Sequence, residues 1–161
     1  MAFVQVVRRS MRPEEYTDLR AGWLKRLLYE SKYEITDIEI TDARQTGENT
    51  YEYYPGGYRR LKKGDIYFTP DGTVFFKAKV TVPKEMQGKE LWLSMWTAAE
   101  IIVKVNGVYV GGMDPNRDRV LLSPYIDSGE LLIEMEGYNR SKPDDERNPD
   151  SMKLKLSLIH I

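Results

Sequence analysis

The spacing of apolar residues along this chain changes near residue 32. From Pro13 to Ser31 the apolar side chains recur every three or four positions, at Tyr16, Leu19, Trp23, Leu24, Leu27 and Leu28. This spacing predicts an amphipathic helix that begins at Pro13, a residue favoured in the first turn, with Glu14 and Glu15 at the positive end of the helix dipole. Because an apolar stripe requires a partner, we expect Trp23 to be buried between the helix and the rest of the protein.

Beyond the helix, apolar and polar residues alternate. The alternation predicts strands at Tyr33–Ile40, Asn49–Tyr54, Thr73–Val82, Glu90–Trp96, Glu100–Val105, Val108–Gly112, Arg119–Leu122, Glu130–Tyr138 and Met152–His160. The polar stretch Thr41–Glu48 is expected to be a loop. About eight or nine short strands with one helix are typical of an all-β fold, an antiparallel sandwich of jelly-roll type. We therefore expect a helical segment (1–32) packed on a β-sandwich (33–161) as one structural unit.

The sharpest local signal is Asn106-Gly107, which lies between two alternating apolar runs. Asn-Gly readily adopts the two positive φ angles of a type I′ turn. The residues on either side, Ile101–Val105 and Val108–Val110, are therefore predicted to pair as a β-hairpin.

This hairpin belongs to a longer ordered pattern. From Phe75 to Leu122 the chain reads strand, Val-Pro, Gly-Lys, Leu-rich strand, Glu, strand, Asn-Gly, strand, Gly-x-Asp-x-Asn and Leu-Leu. The order resembles the N-terminal β-sandwich domain of glycoside hydrolase family 38 α-mannosidases, and the likeness is densest between Gly64 and Tyr138. It implies a galactose-binding-like sandwich whose partner is an α-mannosidase catalytic barrel. In that family the zinc and the catalytic Asp belong to the barrel, so the resemblance implies no cofactor and no catalytic residue in this chain.

Composition narrows the function classes. A chain of 161 residues fits one domain, and the absence of cysteine removes disulfides and thiolate metal sites and favours a reducing compartment, the cytoplasm by default. The formal net charge of −1 gives no strong field for polyanions, so nucleic acid is not expected as a partner. The apolar run at the N-terminus is too short to cross a membrane. The oligomeric state is left open, a homo-oligomer included.

One segment is more basic than the nearly neutral chain as a whole. Between Tyr53 and Lys63, three tyrosines interleave with two arginines and two lysines around Pro-Gly-Gly. Such a mixture is one way to bind single-stranded nucleic acid. A solvated loop with its tyrosines partly packed on the sandwich is the favoured interpretation.

Candidate binding residues come from the resemblance and the hairpin together. Glu100 and Asp114 match family positions, and the hairpin is expected to bring Glu100, Asp114, Asn116 and Arg117 to one end of the sandwich as a carbohydrate-binding or interdomain rim. For Asp114 the alternative is an Asx turn with its own backbone, which we favour. For Glu100 it is a cap or an ion pair.

Trp96 is a further candidate. Trp92, Ser94 and Trp96 project from one face of a strand, so the two tryptophans are placed to form a platform for sugar rings. The favoured alternative is that the N-terminal helix covers them.

No metal site is expected in this chain. Its one histidine, His160, lies on an apolar-facing strand position, where a structural role is more common than metal ligation. The acidic cluster Asp144, Asp145, Glu146 and Asp150 lacks EF-hand spacing and is expected to be a solvated loop within the polar stretch Asn139–Asp150.

Two hypotheses on function follow. The first is a non-catalytic domain that packs on an α-mannosidase barrel and shapes its rim, and the second is an autonomous carbohydrate-binding module for mannose-containing oligosaccharides. A free-standing enzyme is disfavoured, because no nucleophile, base and metal set is recognisable.

Overall fold

A computed structural model of the chain describes residues 12–27, 30–62, 65, 72–96, 99–126, 129–139 and 156–160, without the side chains of 25–27 and 139. These residues form one α-helix, eleven strands and two short 3-10 helices. The helix is α1 (Pro13–Leu27), and the 3-10 turns are Lys84–Met86 and Ser123–Tyr125. The strands are β1 (Ser31–Ile35), β2 (Ile38–Gly47), β3 (Thr50–Tyr53), β4 (Arg59–Leu61), β5 (Gly72–Thr81), β6 (Leu91–Met95), β7 (Glu100–Val105), β8 (Val108–Met113), β9 (Arg119–Leu121), β10 (Glu130–Asn139) and β11 (Leu156–His160).

The strands form two antiparallel sheets. The smaller sheet has the order β1-β11-β6-β9. The larger has seven strands in the order β3-β2-β5-β10-β7-β8, and β4 pairs with β2 beside β3. Neighbours in space are mostly distant in sequence, which is the connectivity expected of a jelly-roll sandwich. The predicted fold class, an antiparallel β-sandwich, is confirmed.

The core lies between the two sheets and is built by alternation. In β6, Leu91, Leu93 and Met95 are buried, whereas the side chains between them are partly exposed. Leu93 from the smaller sheet and Phe76 from the larger belong to one continuous buried cluster. Gly137 of β10 shows how tightly this layer is packed, because a Cβ added there would lie 3.3 Å from the side chains of Ile101 and Val74.

The Asn-Gly hairpin is confirmed. Asn106 and Gly107 have φ angles of 49° and 84°, and β7 and β8 pair directly on either side of them. Asn106 also ties the turn to β10, because its Oδ1 accepts a hydrogen bond of 2.8 Å from the backbone N–H of Leu132. The turn is therefore bonded to β10, the strand that flanks β7 on the side opposite β8.

The prediction of a loop at Thr41–Glu48 is wrong, because β2 continues to Gly47. Its polar residues are compatible with a strand since they have partners across the sheet. Arg44 pairs with Glu52 of β3 at 2.8 Å, and Asp42 pairs with Arg59 of β4 at 3.0 Å.

The expected burial of Trp23 between the helix and the sandwich is wrong. In α1 the side chain of Trp23 is 58% exposed, and Tyr16, Leu19 and Leu24 are exposed as well. The stripe predicted from the sequence is present, but no described part of this chain covers it.

Two predictions concern residues that the structure does not describe. The acidic cluster Asp144, Asp145, Glu146 and Asp150, and the N-terminal part of the last predicted strand, lie outside the described residues. Within the part of the chain that the structure describes, no helix has the length and hydropathy to cross a bilayer.

Candidate functional site

The rim loop, Asp114–Arg117, connects β8 to the segment that leads into β9. The carboxylate of Asp114 organises it: Oδ1 accepts hydrogen bonds from the backbone N–H groups of Asn116 (2.8 Å) and Arg117 (3.0 Å). Oδ2 lies 2.9 Å from Nε and 2.7 Å from Nη2 of Arg117. The first of these bonds is the Asx turn that the sequence suggests.

Both oxygens of Asp114 are therefore occupied within the loop. The Arg117 side chain and the backbone N–H of Asn116 hold the pKa of this carboxyl below its ordinary value. A carboxylate that already accepts three hydrogen bonds and lies in an ion pair with Arg117 has little capacity left for a ligand, so its contacts describe a residue that shapes the loop.

The structure brings three of the four predicted rim residues together. Glu100, Asp114 and Arg117 line one depression of about 440 Å³, because the β7–β8 register pairs Ile101 with Met113. The same depression is bounded by Glu136 and Tyr138 of β10. Asn116 contributes only its backbone to the turn and does not line the depression.

Trp96 lies elsewhere, just beyond β6 in the smaller sheet, and is 46% exposed. Trp92 is partly buried, and its indole N–H donates a 3.0 Å hydrogen bond to Glu90 Oε1. The two rings therefore differ in environment. The expectation that the helix covers both is wrong for Trp96.

A second surface depression was not predicted from the sequence. On the outer face of the larger sheet, aromatic and charged side chains surround a second depression of about 220 Å³. Its lining includes Tyr53, Tyr58, Phe75, Tyr109, Glu134 and Glu136. We refer to these six residues as the tyrosine groove.

The groove is rigid at its base because its side chains hold one another. The Tyr51 ring meets Phe75 edge-on at 5.0 Å, and the Tyr53 ring meets it at 5.5 Å with a tilt of 42°. The Tyr51 hydroxyl donates a hydrogen bond to Glu136 Oε1, and this bond together with burial raises the pKa of Tyr51 to about 12. Glu136 is thereby fixed in position.

Most of the charged side chains around the groove already contact another side chain. Lys104 Nζ lies 4.7 Å from the centre of the Tyr109 ring, a cation–π distance. Glu134 lies 3.9 Å from Lys77. Tyr58 is enclosed enough that burial raises its pKa.

The arginines of the Tyr53–Lys63 segment pair with carboxylates. Arg59 contacts Asp42 at 3.0 Å and Arg60 contacts Asp37 at 3.4 Å. Tyr53 packs against Phe75, as expected, but the segment is not a loop throughout, because β4 (Arg59–Leu61) lies within it.

His160 forms a link between strands. Its Nε2 lies 2.8 Å from Oε2 of Glu30, and its Nδ1 lies 2.8 Å from the backbone oxygen of Glu90. Lys89 approaches the other oxygen of Glu30 at 3.3 Å and is the main cause of a lowered Glu30 pKa. These contacts match the structural role expected for His160. Among the described residues no group of three or more His, Cys, Asp or Glu is placed to hold a metal ion.

Comparison with known proteins gives a likeness of fold alone. No protein-family profile matches the chain, and no curated protein matches it in sequence. Among solved structures, Faecalibacterium prausnitzii β-glucuronidase is similar over 81% of this chain and 32% of its own, with a TM-score of 0.52 and 12% identity. Ruminococcus gnavus β-glucuronidase is similar over 83% of this chain and 29% of its own, with a TM-score of 0.51 and 12% identity.

A calcium-binding mutant of Bacteroides uniformis β-glucuronidase 2 is also similar, with a TM-score of 0.51 and 15% identity over 81% of this chain and 18% of its own. The chain thus spans a third or less of each of these enzymes. The fold is that of a β-sandwich domain found in glycoside hydrolases. These structures are glucuronidases, and they do not show the α-mannosidase family that the sequence resembles.

Proposed function

We propose that this chain is a non-catalytic β-sandwich domain of a glycoside hydrolase, which packs against a catalytic domain and shapes its rim. The sandwich fold shared with glycosidase domains supports this class. The ordered motifs from Phe75 to Leu122 support a family 38 α-mannosidase as the parent enzyme. Zinc and the catalytic carboxylates then belong to the parent's barrel, and the lack of cysteine is compatible with the cytoplasm.

The observation that carries the proposal is the uncovered stripe of α1. An amphipathic helix in water is stabilised mainly by packing of its apolar face, and here that face is exposed at Trp23 and Leu24 (58% and 63%). Covering an exposed tryptophan removes apolar area worth on the order of 3 kcal/mol from water. A contiguous apolar patch of this kind marks an interaction surface.

The test is reconstitution in trans. A family 38 catalytic domain produced without its own N-terminal sandwich is titrated with this chain, and both association and hydrolysis of an aryl α-mannoside are measured. We expect a complex that the double variant Trp23→Ala/Leu24→Ala weakens at least about tenfold.

The matched control is Tyr54→Ala, which removes another exposed aromatic side chain outside α1. Its affinity should equal that of the unaltered chain. Absence of a complex, or equal losses in the control and the double variant, would contradict packing through α1.

The alternative is an autonomous carbohydrate-binding module. The rim loop does not favour it, because the Asp114 carboxylate is used within the loop. The tyrosine groove does favour it, since exposed rings and fixed polar groups converge there.

A further inference from the structure

The tyrosine groove and the depression beside the rim loop adjoin. Both are lined by Ile102 of β7 and Glu136 of β10, so they are neighbours on the larger sheet, and we refer to the two together as the channel. Tyr53 and Tyr109 line the first depression, and Tyr138 and Arg117 line the second.

The aromatic rings along this channel are open to solvent. Tyr109 is 68% exposed, and Tyr53, Tyr58 and Tyr138 are each about half exposed. Ordinary packing does not account for four such rings on one sheet face, because an isolated sheet surface gains nothing by leaving them uncovered. Each offers a flat apolar surface with a hydroxyl at its edge.

Hydrogen-bond acceptors stand between the rings. Glu136 is held by the Tyr51 hydroxyl through Oε1, and Oε2 accepts no hydrogen bond from any described residue. Glu134 has only the distant Lys77, at 3.9 Å, as its ion-pair partner among the described residues. A ligand that lies on the tyrosines must therefore donate to these carboxylates.

This mixture selects the chemistry of the occupant. The core of a protein interface is depleted of charged residues, and an apolar partner here would bury two carboxylates without donors, at a large cost in free energy. A pyranose has C–H groups on its ring faces and hydroxyl groups around its edge. It can therefore cover the rings and donate to the carboxylates at the same time.

The charged side chains along the channel favour an uncharged sugar over an anionic one. Of the cations beside the channel, Arg117 is bound to Asp114, Lys104 lies over Tyr109 and Lys77 is next to Glu134. A uronate placed near Glu134 and Glu136 would meet like charges, and such repulsion is an effective means of rejection.

We propose that the channel binds an uncharged oligosaccharide, with Tyr109, Tyr53 and Tyr138 as stacking surfaces and Glu136 and Glu134 as hydroxyl acceptors. The proposal rests on the carbohydrate-related class of domain given above but not on contact with a catalytic domain. Loss of sugar binding and loss of the α1 contact are therefore separate results.

The test is calorimetric titration of the whole chain with mannotetraose, cellotetraose and xylotetraose as neutral probes and trigalacturonate as an anionic probe. We expect at least one neutral probe to bind and trigalacturonate not to bind. Tyr109→Ala should weaken binding at least about fivefold through lost stacking. Because Tyr109 is 68% exposed, this variant should fold normally, which circular dichroism checks.

Two further variants sharpen the result. Tyr33→Ala is the matched control, because Tyr33 is about as exposed as Tyr138 but lies in the smaller sheet, and it should leave binding unchanged. Glu136→Gln keeps an acceptor for Tyr51 while removing the charge, and it should reduce the discrimination against trigalacturonate.

Three outcomes would overturn the proposal. One is no binding of any neutral probe up to about 10 mM, a concentration that reveals even weak complexes. Another is binding of trigalacturonate alone, and the third is an equal loss of affinity in Tyr33→Ala and Tyr109→Ala.

Discussion

The substitution Tyr51→Phe tests the contact that fixes the tyrosine groove. It removes the hydroxyl that donates to Glu136 and keeps the ring that packs edge-on against Phe75 at 5.0 Å. Any change in the free energy of unfolding therefore reports the hydrogen bond with little contribution from packing.

The magnitude follows from the raised pKa of Tyr51. A change from an ordinary value of 10.0 to about 12 corresponds to an upper bound of roughly 2.7 kcal/mol, at 1.36 kcal/mol for each pKa unit. Water replaces part of the lost bond because Tyr51 is only partly buried, so we expect a loss of about 1 to 2 kcal/mol.

The pH dependence has a definite sign. The folded state raises the pKa of the phenol, so the contribution is fully present below the unfolded pKa near 10 and is lost as the pH rises toward about 12. The difference in unfolding free energy between the two proteins should accordingly be constant from about pH 7 to 9 and should shrink above about pH 10.

Urea denaturation at a series of pH values provides the assay. The control is Tyr109→Phe, which removes a hydroxyl from a ring that is 68% exposed and should change stability by less than about 0.5 kcal/mol. Equal effects of the two substitutions, or a difference for Tyr51→Phe that does not change with pH, would refute the reasoning.

Two other predictions concern the helix and the strand edge. Trp23→Ala should lower the unfolding free energy of the isolated chain by less than about 1 kcal/mol, whereas Leu93→Ala in the core should lower it by about 3 to 5 kcal/mol. Chemical denaturation measures both losses, and equal losses would show that α1 is packed. Lys89→Met removes the main cause of the lowered Glu30 pKa, so the loss of stability as the pH falls and Glu30 is protonated should be smaller than in the unaltered chain. An acid titration of unfolding with coincident curves for the two proteins would contradict that assignment.

Local sequence patterns predicted the strands and the hairpin well. The alternation of Leu91, Leu93 and Met95 defines a buried face without reference to any other strand, and Asn106-Gly107 carries its turn geometry in two residues. Such features depend on neighbours in sequence, so the strands and the hairpin were predictable.

The tyrosine groove was not predictable in the same way. Its residues come from β3, β5, β8, β10 and the turn between β3 and β4, and they meet only because the sheet order places these elements together. The signal in the sequence was the outward alternation of Glu134, Glu136 and Tyr138, but the register with Lys104 and Ile102 was needed to read it as a groove.

The helix illustrates a different limit. The stripe through Trp23 correctly indicates that α1 needs a partner, but amphipathicity does not specify whether that partner lies within the same chain. In the described structure it does not, since Trp23 is 58% exposed.

The measurement that tests the central claim most directly is hydrolysis by the isolated chain. The protein is incubated with the 4-nitrophenyl glycosides of α-mannose and β-glucuronic acid, with and without added zinc or cobalt. A non-catalytic domain predicts no release of nitrophenol above buffer on any substrate. Turnover that disappears in Glu136→Gln or Glu134→Gln, while the fold is retained, would contradict the account and make the tyrosine groove an active site.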